Sequence, residues 1–509
     1  MLNHSNHFQG VLQSGEILFE TDFGYIFNYL SCHKSHRLPA QNSTIRGLMA
    51  LGEAMADPGE LNNEQPGFNS QIPAIYTYLG QFIDHDITAR TDRETSISEI
   101  GGYDGNPCSL SPLNPNEVIE GLTNGRRPQL DLDSVFGDGP AFASEFDNEH
   151  YNYETKADAL YNKVSLDLKL NTAANHFDLN RTADGRALIA DARNDENLMI
   201  SQLHASFIAA YNKIMHYLRQ HPDGSEREAR YSKARRLLRW SYQYVVIHDY
   251  LNHVCDPAIV YDTMENGPFY FLTDKKIFMP LEFSVAAFRF GHSMIRPFYL
   301  INQTIGNKKI MDLLGETFHN NFFTNQMLDP ANIIDWNNFV GATAQHARKI
   351  DWRLAKGLFD LSAIDSAIPA KTMLAHLAQR NLIRGYKLSL PTGQAVAQAM
   401  GINPLTEEQL LDGISQPHKN IIKSTGLGCT SPLWFYVLKE ASIHNLGERL
   451  GAVGSRLVAE TLIGLIKTDK NSFLNNQHAP EVKNNGIEIV PGTLISNIQD
   501  LLKFAGRIN

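Results

Sequence analysis

A mainly α, single-domain fold with long loops and little strand is predicted by the 509-residue sequence. Three observations carry this. Apolar residues recur at helical spacing through most of the chain beyond residue 200, alternating strand patterns are scarce, and no shift in composition marks a linker. A chain of this length can bury a large core. Length alone allows roughly two to four domains, but the even composition makes one unit, 1–509, the simplest reading.

The elements follow in chain order. Residues 1–69 are mixed and turn-rich, and residues 101–160 carry many Gly, Pro, Asn and Asp, the composition of long loops. In SQLHASFIAAYNKIMHYL, the residues Leu203, Phe207, Tyr211, Ile214 and Leu218 fall on one helical face. That helix is expected to stop near His221, Pro222, Asp223 and Gly224. ARYSKARRLLRWSYQYVVIHDYL and ERLGAVGSRLVAETLIGLI also read as helices. The basic run Arg230, Lys233, Arg235, Arg236 and Arg239 reads as a solvated helix face.

A net charge of -10 with 20% charged residues is mildly acidic and argues against nucleic acid, which requires a basic footprint. Cys32, Cys108, Cys255 and Cys429 lie far apart with no CxxC spacing, so neither a zinc site nor a disulfide framework is indicated. There is no Lys or Arg before Lys34 and no apolar h-region, so no secretory signal peptide is read. No apolar run approaches the ~18 residues that span a bilayer. The expectation is a soluble chain, either cytoplasmic or exported by a leaderless route.

Candidate chemistry begins at YLGQFIDHDITAR, residues 78–90. In a helix, Gln81, Asp84 and His85 share a face at spacings i, i+3 and i+4, while Asp86 points away. One amide, one carboxylate and one imidazole then serve one cavity, and a second carboxylate serves another. A single histidine in such a segment is more often a satisfied core residue. The DHD triplet equally suits a divalent metal, but only with further ligands. In AAFRFGHSMIRPF, Arg289 lies one turn before His292. In DARNDENLMISQLH, Arg193 and Glu196 are i, i+3 and lead into a helix start, although alone they suit a surface ion pair. In NLIRGY, Asn381 and Arg384 are again one turn apart.

These four segments occur in the order found in the animal-type haem peroxidases, the peroxidase–cyclooxygenase superfamily, and the sequence most closely resembles its soluble bacterial-type members. The resemblance covers about residues 70–470 and includes PLWFYVLKEA and ERLGAVGSRLVAE, with 1–69 an N-terminal extension packed on or wrapping the core. It implies the helical haem peroxidase fold and a haem b cofactor. His85 matches the distal base that moves a proton within bound hydrogen peroxide. Arg193 matches the distal arginine that stabilises developing negative charge, and Gln81 the amide that holds distal water. His292 matches the proximal iron ligand. Asn381 is expected to accept the imidazole's other N–H through its side-chain oxygen. Arg289 and Arg384 suit haem propionates or neighbouring carboxylates.

By the same resemblance, Asp84 and Glu196 match residues that form esters with haem methyl groups. Asn197 stands where the chloride-oxidising relative has a sulfonium-forming methionine, so that link is not expected. Asp86 matches a calcium ligand, and RRPQLDLDSVFG should supply its partners through Asp131, Asp133 and the Gln129 carbonyl. The usual threonine is replaced by Arg127, so either calcium binds or a guanidinium takes its place. The implied activity is peroxide-dependent oxidation of small donors such as phenols, iodide, bromide or thiocyanate. The alternatives are a fatty-acid dioxygenase on the same scaffold and a non-enzymatic haem-binding or adhesion protein. Donor identity and oligomeric state are not legible.

Overall fold

Leu203, Phe207, Tyr211, Ile214 and Leu218 are all buried on one side of the helix Leu198–Gln220. Its start is fixed by Asn197, whose side-chain oxygen accepts the Ile200 N–H at 2.9 Å. The structure is a computed structural model and describes residues 21–57, 66–89, 110–140, 159–172, 177–221, 225–271, 277–366 and 368–508. Residues 101–109 and 141–158 of the expected 101–160 loop, Cys108 among them, and the helix stop at 222–224 lie outside these residues. Helix makes up 52% and strand 13%, so the mainly α class holds.

The helix Arg227–Val245 packs on Leu198–Gln220, and Ile498–Ala505 packs on the latter's other flank. Asn42–Ala54 packs on Leu377–Lys387, and Leu433–Asn445 on Ala452–Thr468. The Ala452–Thr468 helix begins four residues later than its apolar pattern suggested. The basic run on Arg227–Val245 differs from the expected solvated face. Arg236 is exposed, but Arg235 lies over the Phe136 ring at 5.3 Å, and Arg239 is ion-paired with Asp469. Long basic stems cover apolar surface while their heads reach acceptors on neighbouring segments.

Two π-turns interrupt the helical regions, at Val246–Tyr250 and at Glu282–Ala286. Each shifts the side-chain register by one residue, a device common beside functional sites. The second leads directly into a 3-10 helix, Ala287–His292, instead of the α-helix assumed from sequence. Three residues per turn still places Arg289 and His292 on one face. This 3-10 segment packs against the helix Ile75–Ile87, and the gap between them is where the site lies.

Strand is confined to small sheets. Thr21–Gly24 pairs antiparallel with Thr123–Asn124 and parallel with Phe278–Pro280, placing Phe23 opposite Met279. The following residues are pinned by Glu282, whose two oxygens accept the N–H groups of Ile26 at 3.0 Å and Phe27 at 2.9 Å. Among the described residues, no helix is long and apolar enough to cross a membrane.

Burial pushes the Glu282 pKa up to about 7, against the pull of those N–H groups. The folded chain therefore keeps a proton that the unfolded chain loses above its ordinary value of 4.5. Stability from this group is fully present below that value and is lost as pH rises through about 7. In Glu282→Gln this dependence disappears. Its stability relative to wild type should rise by about 3 kcal/mol between mildly acidic and mildly alkaline pH, measured by urea unfolding. Parallel curves for the two proteins would contradict the assignment.

Candidate functional site

A cavity of about 440 Å³ separates the Ile75–Ile87 helix from the 3-10 segment, with His85 and His292 both on its wall. Gln81 and Asp84 join His85 there, as helical spacing requires, and Glu196 and Asn197 close the same side. Asp86 faces the opposite way and is fully buried. The remaining wall is largely aliphatic, including Ile295, Ile310, Leu361 and Ile368, with the guanidiniums of Arg289 and Arg380 among them.

On the His85 side, Nδ1 lies 2.8 Å from the Asn194 side-chain oxygen, and the Asn194 amide nitrogen lies 2.9 Å from His204 Nδ1. An amide oxygen accepts only, so His85 Nδ1 carries the proton and Nε2 is left as the acceptor. That Nε2 stands 3.6 Å from Glu196 Oε1. Gln81 donates to Glu196 and accepts from the Asn197 amide at 3.1 Å. Burial, reinforced by the Arg193 charge, pushes the His85 pKa down to about 3, so the imidazole is neutral at ordinary pH. Burial pushes Glu196 up to about 7, and raises Asp84 against the opposing charges of Arg193 and Arg289.

Arg193 is held by one carboxylate and two backbone carbonyls. Its Nε donates to Asp191 Oδ1 at 3.0 Å and its Nη2 to Asp191 Oδ2 at 2.7 Å. Nη2 also donates to the carbonyls of His85 and Thr88, at 2.9 and 2.5 Å. Arg193 belongs to the 3-10 turn Ala192–Asp195, which Glu196 caps, and the α-helix starts only at Leu198.

On the other side, the Asn381 side chain lies 2.9 Å from His292 Nδ1, leaving Nε2 as the other ring nitrogen. Arg289 Nη1 donates to Asn381 Oδ1 at 3.1 Å, which turns the amide nitrogen toward His292. That polarity is the reverse of the expected one. Burial and the charges of Arg289, Arg380 and Arg384 push the His292 pKa down to about 3, so the ring is neutral at ordinary pH. Trp434 packs edge-on at 6.4 Å and donates its indole N–H to the Arg289 carbonyl at 3.1 Å. Arg384 is buried on the Leu377–Lys387 helix, whereas Arg380, one turn earlier, lines the cavity.

Behind the Ile75–Ile87 helix, Asp86, Asp131 and Asp133 are all buried. Asp86 accepts from the Ser134 hydroxyl at 2.9 Å and from the Leu132 N–H at 3.2 Å. Both Asp133 oxygens lack a hydrogen-bond partner. Arg126 brings a guanidinium to this cluster. It lies 3.8 Å from Asp133 and 2.6 Å from Asp191. Among the described residues, no three His, Cys, Asp or Glu side chains already converge as a metal-ligand set.

Sequence reasoning missed Asn194, Asp191, Arg126 and Arg380. The first three are contacts across long loops. Arg380 directly precedes Asn381 and lies one turn before Arg384 on the same helix.

Comparison with known proteins follows the same outline. Residues 121–425 match the family model for the animal haem peroxidase, a span that takes in the Arg193, His292 and Asn381 segments and begins after GQFIDHD. The chain is 25% identical over 253 residues to a peroxidase-like protein of Margaritifera margaritifera, covering 43% of this chain and 31% of that protein. It is 24% identical over 322 residues to human thyroid peroxidase, covering 52% of this chain and 33% of that protein. The chain thus spans about a third of the length of these relatives. Peroxidase A from Dictyostelium discoideum shares the fold with a TM-score of 0.61 at 15% identity, over 96% of this chain and 93% of that chain. The fatty acid alpha-dioxygenase of Arabidopsis thaliana does so with a TM-score of 0.58 at 15% identity, over 93% and 77%. With more than half its length matched by the family model, the chain belongs to the animal haem peroxidases, a family whose members bind haem.

Proposed function

We propose that the protein is a haem-dependent peroxidase that uses hydrogen peroxide to oxidise small donors, phenols and anions such as iodide, bromide or thiocyanate. The observation that carries this reading is a pair of neutral histidines on opposite sides of one cavity, each with Nδ1 held by an asparagine. Haem b fits the residues present. His292 offers Nε2 to the iron, the aliphatic wall suits a porphyrin face, and Arg289 and Arg380 suit its propionates. When bound, haem supplies the iron that accepts the oxidising equivalents of peroxide and passes them to donors.

The chain's own residues supply the rest. His292 must carry its proton on Nδ1 to bind iron through Nε2, so Asn381 has to present its oxygen. An amide oxygen has two lone pairs and can accept from Arg289 as well. On the opposite wall, His85 Nε2 takes a proton from peroxide and returns it to the departing oxygen. Asn194 keeps that nitrogen available. Gln81 and Glu196 hold polar groups beside it, and Arg193 contributes positive charge nearby, moderated by Asp191. Titration of the purified protein with haem should saturate at one equivalent and confer peroxide-dependent oxidation of guaiacol and iodide. Haem binding without such turnover would favour the non-enzymatic alternative.

Asp84 and Glu196 are the candidates for ester links to haem methyl groups, since both line the cavity. After exposure to peroxide, part of the haem should resist acid-solvent extraction. The double variant Asp84→Ala, Glu196→Ala should release all of it. Complete extraction from wild type would remove this assignment.

We also assign Ca²⁺ to Asp86, Asp131 and Asp133. Two of the carboxylates are pushed up by burial, and Asp133 has no hydrogen-bond donor, although Arg126 stands 3.8 Å away. A hard cation would satisfy oxygens that one guanidinium, shared with Asp191, does not. Dialysis against EGTA should lower stability by about 3 kcal/mol if the ion is normally present at about 100 times its Kd. An unchanged melting temperature, with no calcium in the undialysed protein, would mean that Arg126 suffices.

A further inference from the structure

We propose that Tyr76 is a redox relay that carries oxidising equivalents from the cavity to donors at the protein surface. The proposal rests on the haem peroxidase reading above and extends it to donors too large to enter the cavity.

Tyr76 lies near the start of the Ile75–Ile87 helix, on the stripe that continues through Gly80 to Asp84. Tyr76, Tyr78 and Tyr250 all line the cavity. They differ in what meets the phenol. The Tyr76 hydroxyl donates to Asp249 Oδ1 at 2.5 Å. Tyr78 instead packs edge-on to Tyr299 at 5.6 Å, with no carboxylate beside its hydroxyl. Oxidation makes a phenol a strong acid, so a buried tyrosine gives up an electron readily only where a base takes its proton. Asp249 is such a base, and its other oxygen is fixed by the Ile498 N–H at 2.8 Å.

The path is continuous at both ends. Inward, the Tyr250 ring lies 6.5 Å from Tyr76 and 6.2 Å from Phe288, four residues before His292. A side chain at position 80 would collide with Tyr250, because a Cβ there would stand 2.5 Å from its hydroxyl. Outward, the Tyr76 ring stacks on His253 at 4.0 Å, and the His253 side chain is 39% exposed. The π-turn Val246–Tyr250 delivers Asp249 and Tyr250 together to this place. Burial, followed by Asp249, raises the Tyr76 pKa, so the phenol stays protonated until it is oxidised.

The step balances as follows. Tyr76 loses one electron to the haem centre oxidised by peroxide, its O–H bond breaks, and the proton moves to Asp249. A reduced donor at the surface then returns one electron to the tyrosyl radical, and Asp249 returns the proton. Two such turns consume the two oxidising equivalents of one peroxide.

The test uses the full haem-loaded chain mixed with hydrogen peroxide and a nitroso spin trap, followed by peptide mass spectrometry. Frozen samples without the trap are examined by EPR. Ferrocytochrome c serves as the donor too large for the cavity, and iodide as the small one. The expected result is an adduct on Tyr76 and a tyrosyl EPR signal that Tyr76→Phe loses. In Asp249→Asn, ferrocytochrome c oxidation should fall to the level of the haem-free control while iodide oxidation persists. Iodide turnover in wild type with no adduct on Tyr76 overturns the relay. So does fatty-acid oxygen uptake that depends on Tyr76, since the radical would then serve a substrate inside the cavity. Absence of iodide turnover in wild type would instead count against the peroxidase reading itself.

Discussion

His292→Ala is expected to leave the protein folded but unable to retain haem. His292 is the neutral imidazole on the cavity wall, and with Asn381 turned to present its oxygen to Nδ1, its Nε2 would be the nitrogen offered to iron. On the proposed reading its removal takes away the residue that would bind the iron and leaves the aliphatic wall, Arg289 and Arg380 to hold a porphyrin. Asn381→Ala should cost less, about 10–100-fold in haem affinity, as for other partners that orient a metal-bound histidine. Titration of the Soret band with added haem measures both. A His292→Ala protein with wild-type affinity and spectrum would move the ligand elsewhere.

The second large effect is expected at His85. His85→Ala should retain haem but lower the rate of reaction with peroxide by about 10²–10⁴-fold, the usual contribution of a positioned general base. Asn194→Leu should produce a smaller fall, because it leaves His85 in place but no longer fixes the proton on Nδ1. Stopped-flow mixing with peroxide, followed at the Soret band, separates this from haem loss. Equal rates in wild type and Asn194→Leu would mean that the contact is only structural.

The parts of this molecule that could be read from sequence are those where local period and tertiary environment agree. Leu203 to Leu218 form a buried stripe because a single α-helix carries them without interruption. Gln81, Asp84 and His85 reach one cavity for the same reason, since Ile75–Ile87 is regular through all three. The rest depended on features with no local signature. The π-turn before Ala287 and the 3-10 geometry at Arg289 and His292 are set by packing, not by residue spacing. Asn194 meets His85 across 109 residues, which no periodicity encodes. Arg126 and Arg127 are neighbours in sequence, and the burial of Arg126 follows from the fold, with no periodicity to announce it. Arg380 and Arg384 lie one turn apart on one helix, and which reaches the cavity follows from how Leu377–Lys387 is seated.

Arg289 is the residue on which the proposed peroxidase reading is preferred to an oxygenase. By resemblance, oxygenases of this superfamily place a tyrosine three residues before the proximal histidine, where the phenol becomes the radical that attacks an acyl chain. Here that position is a guanidinium on the cavity wall, bonded to Asn381 and to the Ser284 carbonyl at 3.1 Å in each case. It cannot form such a radical, and it sets a charged group on the wall that an acyl chain would have to pass. The most direct measurement places the haem-loaded protein in an oxygen-electrode cell and follows guaiacol oxidation with hydrogen peroxide, then oxygen uptake with palmitic or linoleic acid. The expected result is peroxide-dependent guaiacol turnover, lost in His85→Ala, with no fatty-acid oxygen uptake above the haem-only control. Oxygen consumption with either acid at a rate matching or exceeding guaiacol turnover would contradict the peroxidase assignment.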